Sequence, residues 1–233
     1  MFKDLFSPTG GLIYHSRALR YGRAWKPFNK KVEAWLQDWH PQSSSLVLVG
    51  PSAGYTLPKN LLSRFDTCIG VELDPMARSL FRMRRGPLLW DQRNYFSPER
   101  GEFNPKGPTE FARKYQGCAV LFCNVLGQML PQDPFSQGFE TYSQSLKNSL
   151  QNLEWASYHD RLSGRLKPKS EAFSSEQRLN DTQLIERAYP KTTGELSEHG
   201  TWGFFPENLP AHYWSWELTP GTYHLVEALK KTT

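Results

Sequence analysis

The chain has 233 residues, a length that fits one α/β domain with extensions or two small domains. Hydrophobic residues make up 38% of it, which is enough for a packed core, and no run approaches the roughly 18 consecutive apolar residues of a membrane-spanning helix. The formal net charge is +5, with basic residues concentrated in the first 40 positions and in the segment 78–93, so an anionic small molecule or RNA is a compatible partner.

The three cysteines, Cys68, Cys118 and Cys123, lie in or beside predicted strands. An odd number at such positions fits neither a disulfide framework nor a zinc pattern, so we expect buried thiols in a reducing compartment and no metal site. The first residues lack a charged segment followed by an apolar stretch. No signal peptide is therefore expected, and the predicted location is the cytoplasm.

Residues 1–42 are predicted to form an N-terminal helical extension, and residues 43–233 the main domain. Apolar residues in 26–40 recur at three- and four-residue steps, which is typical of a helix with one buried face. The preceding aromatic and basic run contains Tyr14, His15 and Arg17. We expect this run to close over a ligand as a lid.

The segment 46–74 predicts a ligand site. An apolar strand, 46–49, leads into the turn Gly50-Pro51-Ser52-Ala53-Gly54, a short helix-like run and a second apolar strand that ends at Glu72. Small residues let the backbone approach a nucleotide-like ligand closely, and a carboxylate at the end of the second strand can accept hydrogen bonds from ribose hydroxyls.

Strands and helices alternate beyond this segment. The predicted helices are 76–85, 109–116, 139–153 and 176–188. The predicted strands are 88–90, 119–123 and 155–158, followed by a C-terminal hairpin of 213–218 and 223–229 around Pro220-Gly221. This order predicts an α/β fold with a doubly wound, seven-stranded, mostly parallel sheet, in which only the hairpin introduces antiparallel pairing.

Ligands of such sheets lie outside the carboxyl ends of the strands. The residues predicted to close the strands are glycine or polar: Gly50 to Gly54, Glu72, Asp91, Asn124, and the pair His159 and Asp160. We expect one crevice to be lined by all of them. His159 and Asp160 are the candidate bases if the reaction removes a proton.

Over about residues 43–229 the pattern resembles the class I S-adenosylmethionine-dependent methyltransferases. The resemblance implies methyl transfer from S-adenosylmethionine to an unidentified acceptor. It also implies a glycine turn against the methionine part of the cofactor, Glu72 on the ribose, Asp91 by the adenine and Asn124 near the reacting methyl. The cofactor-binding residues implied are Gly50, Pro51, Ser52, Gly54, Glu72, Leu73, Asp91 and Asn124.

Three positions depart from that pattern. Ser52 occupies the place of the middle glycine, and Val49 stands where many members carry an acidic residue. The stretch from Asn124 to Gly127 is not the Asn-Pro-Pro-Tyr type of motif that acts on exocyclic amines of bases. The acceptor atom, the general base and the oligomeric state are left open.

Two other functions fit part of the sequence. Gly50 to Gly54 also matches the G-x-S-x-G elbow of α/β-hydrolases, with Ser52 as nucleophile and Asp160 followed by His199, His212 or His224, but too few residues precede this strand to supply an oxyanion loop. A catalytically inactive binding or scaffold protein on the methyltransferase fold is the other alternative. An NAD-dependent dehydrogenase fits poorly, because Ser52 and Tyr55 occupy glycine positions of its motif.

Overall fold

The structure, a computed structural model, describes residues 11–96, 103–128, 138–189 and 195–231. Within them a mixed sheet is covered by helices on both faces. The helices are α1 (Gly11–Tyr21), α2 (Lys26–Gln37), α3 (Pro75–Arg85), α4 (Lys106–Lys114), α5 (Phe139–Ser149) and α6 (Asp181–Ala188). The strands are β1 (Ser45–Val49), β2 (Thr67–Val71), β3 (Leu89–Asp91), β4 (Ala119–Cys123), β5 (Glu154–Gly164), β6 (Ala172–Ser175), β7 (Leu196–Glu198), β8 (Ala211–Thr219) and β9 (Thr222–Lys231).

The strand order is β3-β2-β1-β4-β5-β9-β8-β6. Strands β1 to β5 are parallel, and β9 lies antiparallel between β5 and β8. The chain starts at the centre with β1, moves outward to β3 and returns through β4, which is the doubly wound order. The predicted fold class is confirmed. All five residues of β4 are buried, as expected of a central strand covered on both faces.

The sheet has two short strands beyond the predicted seven. β6 pairs with β8 at one edge, and β7 pairs with the end of β5. Both are too short and too polar to show an apolar alternation in the sequence. The helix-like run predicted between β1 and β2 is also wrong. That connection consists of turns and a short 3₁₀ helix, Leu62–Arg64, and the Arg85 guanidinium braces it by donating hydrogen bonds to the carbonyls of Gly54 and Leu57.

β5 is longer than predicted. It continues past Tyr158 to Gly164, so His159 and Asp160 lie inside the strand and do not close it. Successive residues of a strand point to opposite faces of the sheet, so these two side chains point apart. Beyond Asp160 the register against β9 shifts by one residue, which marks a β-bulge at Arg161.

The N-terminal helices pack directly on one face of the sheet. Phe28 of α2 stacks on Trp216 of β8, with ring centroids 4.7 Å apart and planes within 9°. The Trp25 indole packs edge-on against the same ring and donates its Nε1 hydrogen to the Leu218 carbonyl at 3.0 Å. Helix α3 completes this face, whereas α4, α5 and α6 cover the other. The domain boundary at 42/43 stays a prediction, but helix and sheet share one core here.

None of the helices within the described ranges combines the length and the apolar content that a membrane crossing requires.

Candidate functional site

A cavity of about 120 Å³ lies at the carboxyl ends of β1, β2 and β4. Five of the predicted cofactor-binding residues line it: Gly50, Pro51, Ser52, Glu72 and Asn124. They meet because parallel strands present their carboxyl ends at one edge of the sheet. We call this space the first cavity. Gly11 and Tyr14 of α1 form part of its wall.

The turn after β1 is held tightly against the rest of the site. Gly50 has a φ of +62°, and a Cβ there would lie 2.6 Å from Cβ of Val125, so only glycine fits. Ser52 also has a left-handed backbone, with φ of 49°. Its amide donates a hydrogen bond of 3.0 Å to Oε2 of Glu72. The acidic residue after β2 therefore fixes the turn after β1.

The Glu72 carboxylate accepts a second hydrogen bond, from the Asp74 amide to Oε1 at 3.1 Å. Burial raises the pKa of Glu72, and the two amide donors oppose that rise. An ionised carboxylate offers about four acceptor positions, so two backbone donors leave it able to bind ligand hydroxyl groups as well.

Asn124 lies at the end of β4 with a φ of 54°. Its amide donates to the Tyr158 carbonyl at 2.8 Å, and Nδ2 donates to Oδ2 of Asp160 at 3.2 Å. Oδ1 is buried and has no hydrogen-bond partner within the described part of the chain. Asn124 therefore lines the first cavity and has an unsatisfied acceptor in its side chain.

Helix α1 lies against the cavity through its predicted lid residues. His15 is buried between α1 and the site, with Nδ1 3.0 Å from the Tyr55 hydroxyl and Nε2 3.4 Å from Oδ2 of Asp74. Asp74 also caps the start of α3 by accepting from the Met76 amide. Tyr14 lines the first cavity and a second one, and burial raises the pKa of its phenol.

The structure places three other predicted cofactor residues outside the first cavity. Gly54 faces Phe81 and Arg85, and Leu73 is 45% exposed. The Asp91 carboxylate is held by the hydroxyls of Tyr95 and Tyr115, by Lys114 and by Arg93, at distances of 2.6 to 3.3 Å. Although burial opposes the shift, these donors hold its pKa well below the usual range.

The second cavity, of about 250 Å³, adjoins the first and shares Tyr14 and Asn124 with it. Its polar wall comes from Asp160, Ser163, His199 and His224, its apolar wall includes Trp216 and Leu218, and Arg17 of α1 also lines it. In the sequence, His199 and His224 fit only the hydrolase alternative, and no signal marks Ser163 as a site residue. These residues come together because β5 pairs with both β7 and β9. No local sequence motif indicates either pairing.

His159 lies on the opposite face of the sheet from Asp160 and is fully buried. Its Nδ1 lies 3.0 Å from Ser157 Oγ, its Nε2 lies 3.1 Å from Oε2 of Glu227, and its ring stacks on Phe205. Burial lowers the pKa of His159. It belongs to a buried polar cluster, so the expectation that His159 and Asp160 share one crevice is wrong.

That cluster centres on Glu227 of β9. Its carboxylate accepts from Arg161, Arg178 and Tyr213 as well as lying beside His159. Against the effect of burial, these partners hold the pKa of Glu227 well below its usual range. Each buried charge is paired, which is the condition under which charge is tolerated in a core.

The arrangement is not that of a hydrolase elbow. Ser52 lines the first cavity, whereas the pair of Asp160 and His224 lines the second. The elbow also requires a helix directly after the nucleophile, and turns follow Ser52 here.

No family model matches the sequence, and none of the curated proteins does. The fold is similar to solved methyltransferase structures. A SAM-dependent methyltransferase from Anabaena variabilis is 14% identical, with a TM-score of 0.48 over 91% of this chain and 95% of that one. The N-methyltransferase NodS from Bradyrhizobium japonicum is 10% identical, with a TM-score of 0.47 over 91% and 98%.

A third structure is the Burkholderia thailandensis 1,6-didemethyltoxoflavin-N1-methyltransferase with bound S-adenosylhomocysteine. It is 14% identical, with a TM-score of 0.44 over 94% of this chain and 84% of that one. At these identities and scores the similarity concerns the fold alone. The order β3-β2-β1-β4-β5-β9-β8 with its reversed β9 is observed in this chain itself, and it is that of a Rossmann-like α/β protein with a C-terminal antiparallel hairpin.

Proposed function

We propose that the protein is an S-adenosylmethionine-dependent methyltransferase, with the cofactor in the first cavity and the methyl acceptor in the second. The observation that carries the proposal is that the two cavities meet at Tyr14 and Asn124, which line both. Methyl transfer from a sulfonium is an in-line displacement, so it needs two ligand sites that open onto each other.

The residues of the first cavity fit the cofactor. The main chain of the Gly50–Ser52 turn would lie against its amino-acid part, and Glu72 would accept hydrogen bonds from ribose hydroxyls. The unpartnered Oδ1 of Asn124 would accept a further hydrogen bond from a donor of the bound cofactor. When bound, the cofactor supplies an electrophilic methyl group on a positively charged sulfur.

The chain's own residues would orient the acceptor and exclude water. Tyr14 lines both cavities where they meet, and Trp216 and Leu218 contribute an apolar wall. Asp160, Ser163 and His199 offer hydrogen-bonding groups on the other side, and Arg17 adds a positive charge. These walls favour a small acceptor that combines an apolar part with polar groups.

The arginine-rich segment gives less support to RNA as acceptor than its composition suggests. Arg78 donates to the carbonyls of Glu72 and Leu73, and Arg84 donates to that of Ala53. Together with Arg85 these guanidiniums brace the loops that form the first cavity. Their positive charge is therefore explained by the fold, and a nucleic acid remains only an alternative partner.

Calorimetric titration with S-adenosylmethionine, and separately with S-adenosylhomocysteine, tests the proposal. We expect one binding site for each, and NAD as a matched adenine-containing control should give no heat. If S-adenosylmethionine binds but no methyl transfer is detected to any of a panel of acidic phenols and amines, the catalytically inactive binding protein would be favoured. No heat at millimolar ligand in a sample that is folded by circular dichroism would refute the methyltransferase.

A further inference from the structure

We propose that Asp160, His199 and His224 form a binding site for one divalent transition-metal ion in the wall of the second cavity. These three side chains bring a carboxylate oxygen and two imidazole nitrogens within 4.8 Å of one another. The sequence predicts no metal site, because the three residues come from separate elements and have no characteristic spacing. The proposal does not depend on methyl transfer.

The β-bulge in β5 builds this arrangement. Asp160 pairs with Val226 and Ser163 pairs with His224. The step from Asp160 to Ser163 on β5 is three residues, whereas the step from Val226 to His224 on β9 is only two. Paired residues of an antiparallel ladder share a face, and His224 and Val226 lie two positions apart on one strand. Asp160, Ser163 and His224 therefore all face the second cavity, which a regular strand could not achieve.

His199 enters from the end of β7. Its amide donates to the Arg161 carbonyl at 3.0 Å, and Nδ1 lies 2.8 Å from the Gly127 carbonyl. Because a carbonyl only accepts, Nδ1 carries the proton, and the Nε2 of the neutral ring has a lone pair that accepts from the Ser163 hydroxyl. A histidine that donates through one nitrogen to a backbone carbonyl is typical of a metal ligand, since that bond fixes the ring with the other nitrogen toward the ion.

The distances suit a metal after small side-chain rotations. Zinc binds nitrogen and oxygen ligands at about 2.0–2.2 Å, so tetrahedral ligand atoms lie about 3.4 Å apart. Oδ2 of Asp160 is 3.1 Å from Nδ1 of His224, already close to that spacing. Nε2 of His199 lies 2.9 Å from the Ser163 hydroxyl, which the ion would displace as a partner.

Two ligand atoms lack hydrogen bonds. Within the described part of the chain, Oδ1 of Asp160 and Nδ1 of His224 are buried and have no aligned hydrogen-bond partner. Oδ2 of Asp160 and Nδ1 of His224 lie 3.1 Å apart, so an ion bound to both would take the place of a proton between them. A buried carboxylate with an unsatisfied oxygen is costly unless something further compensates it, and a cation between these atoms would do so.

The ligand set selects the class of ion. Two imidazoles and one carboxylate suit zinc, cobalt(II), iron(II) or manganese(II), whereas calcium and magnesium prefer oxygen ligands alone. Three protein ligands leave at least one coordination position open toward the cavity. Arg17 lines the same cavity, and its positive charge opposes binding of a cation. Replacing it with glutamine should therefore strengthen binding.

Titration of metal-stripped protein with Co²⁺, followed by visible absorption and calorimetry, tests the proposal. We expect one equivalent to bind, with d–d bands of a low-coordinate site. H199A and H224A should each weaken binding at least tenfold, and R17Q should tighten it. H40A, which removes an exposed histidine elsewhere, is the matched control and should bind like the unaltered protein.

Circular dichroism of each variant separates loss of ligand from loss of fold. If H224A does not fold, H199A still tests whether the site binds metal. His199 follows a short strand and is only partly buried, so we expect its replacement to leave the fold intact. Absence of Co²⁺ and Zn²⁺ binding at millimolar metal would overturn the site, as would binding that H199A, H224A and D160N leave unchanged. Neither result bears on the titration with S-adenosylmethionine.

Discussion

Ser52 and Asn124 both have left-handed backbones, and they stand at the carboxyl ends of the neighbouring strands β1 and β4, with φ of 49° and 54°. A residue other than glycine in this region costs of order 1–3 kcal/mol, although asparagine tolerates it better than most residues. Both line the first cavity. Backbone strain is thus concentrated where we propose that the cofactor binds.

The strain at Ser52 can be measured. Ser52→Gly should raise the free energy of unfolding by about 1 kcal/mol, because glycine adopts a positive φ without steric cost and loses only part of that gain to a more flexible unfolded chain. Urea denaturation gives the value. Ser63→Gly, in the exposed 3₁₀ helix and without positive φ, is the control and should be destabilising or neutral. The same result for both variants would mean that Ser52 is unstrained.

Removal of the Glu72 charge should weaken cofactor binding. We expect Glu72→Gln to reduce affinity for S-adenosylmethionine by about 1–3 kcal/mol, roughly 5- to 150-fold, through loss of charge-assisted hydrogen bonds. Calorimetry measures the change, and Glu110→Gln on the exposed side of α4 is the control. Unaltered affinity in Glu72→Gln would show that the ribose is held by other groups.

The N-terminal helices should be indispensable to the fold. Phe28→Ala removes the ring that stacks on Trp216 and should lower the free energy of unfolding by about 3–5 kcal/mol. Leu19→Ala, on the exposed face of α1, should change it by less than about 0.5 kcal/mol. Similar small effects of both substitutions would indicate that the segment before residue 43 is a separable unit.

Glu227 should be essential to stability because it compensates two buried arginines. Glu227→Gln leaves Arg178 without its counter-charge and Arg161 with Asp181 as its remaining carboxylate, and we expect a loss of about 3–5 kcal/mol in the free energy of unfolding. Glu207→Gln at the surface is the control. A loss below about 1 kcal/mol for Glu227→Gln would mean that solvent reaches the cluster.

Asp91 should make stability depend on acid pH. Its pKa is lower in the folded than in the unfolded protein, so its ionised form stabilises the fold fully above the unfolded value, near about 4, and progressively less as the pH falls toward the folded value. The difference in unfolding free energy between the unaltered protein and Asp91→Asn should thus be larger at pH 7 than at pH 3. A difference that is equal at both would contradict the shift.

The sequence predicts most of the fold because its strands are marked locally. β4 is an unbroken apolar run, and Asp74 followed by Pro75 starts α3 as expected, with the Asp74 side chain accepting from the Met76 amide. The short strands β6 and β7 and the true end of β5 escape prediction. Their residues are polar or charged, and they are held by partners distant in sequence, such as Glu227 for Arg161.

The first cavity was predictable at the level of residues, since Gly50, Ser52, Glu72 and Asn124 each follow a recognisable strand. Asp91 follows one too, but its carboxylate is held by Tyr95, Tyr115 and Lys114, partners that the motif does not reveal. The second cavity depends on the register between β5 and β9. A one-residue shift in that pairing cannot be predicted from the amino-acid composition or from the spacing of residue types.

Because of that one-residue shift, β5 places side chains both in the buried cluster around Glu227 and in the second cavity. On one side of β5, Arg161 and Leu162 both point into the core with Glu227, and on the other side Asp160 and Ser163 both point into the second cavity. Deleting Arg161 would leave a regular pleat in which Leu162 still pairs with Leu225 and Ser163 with His224, so the outer end of the strand would keep its faces and lose only the guanidinium that pairs with Glu227. We therefore expect deletion of Arg161 to destabilise the protein through the buried charge of Glu227, while the side chains beyond it stay on their present faces.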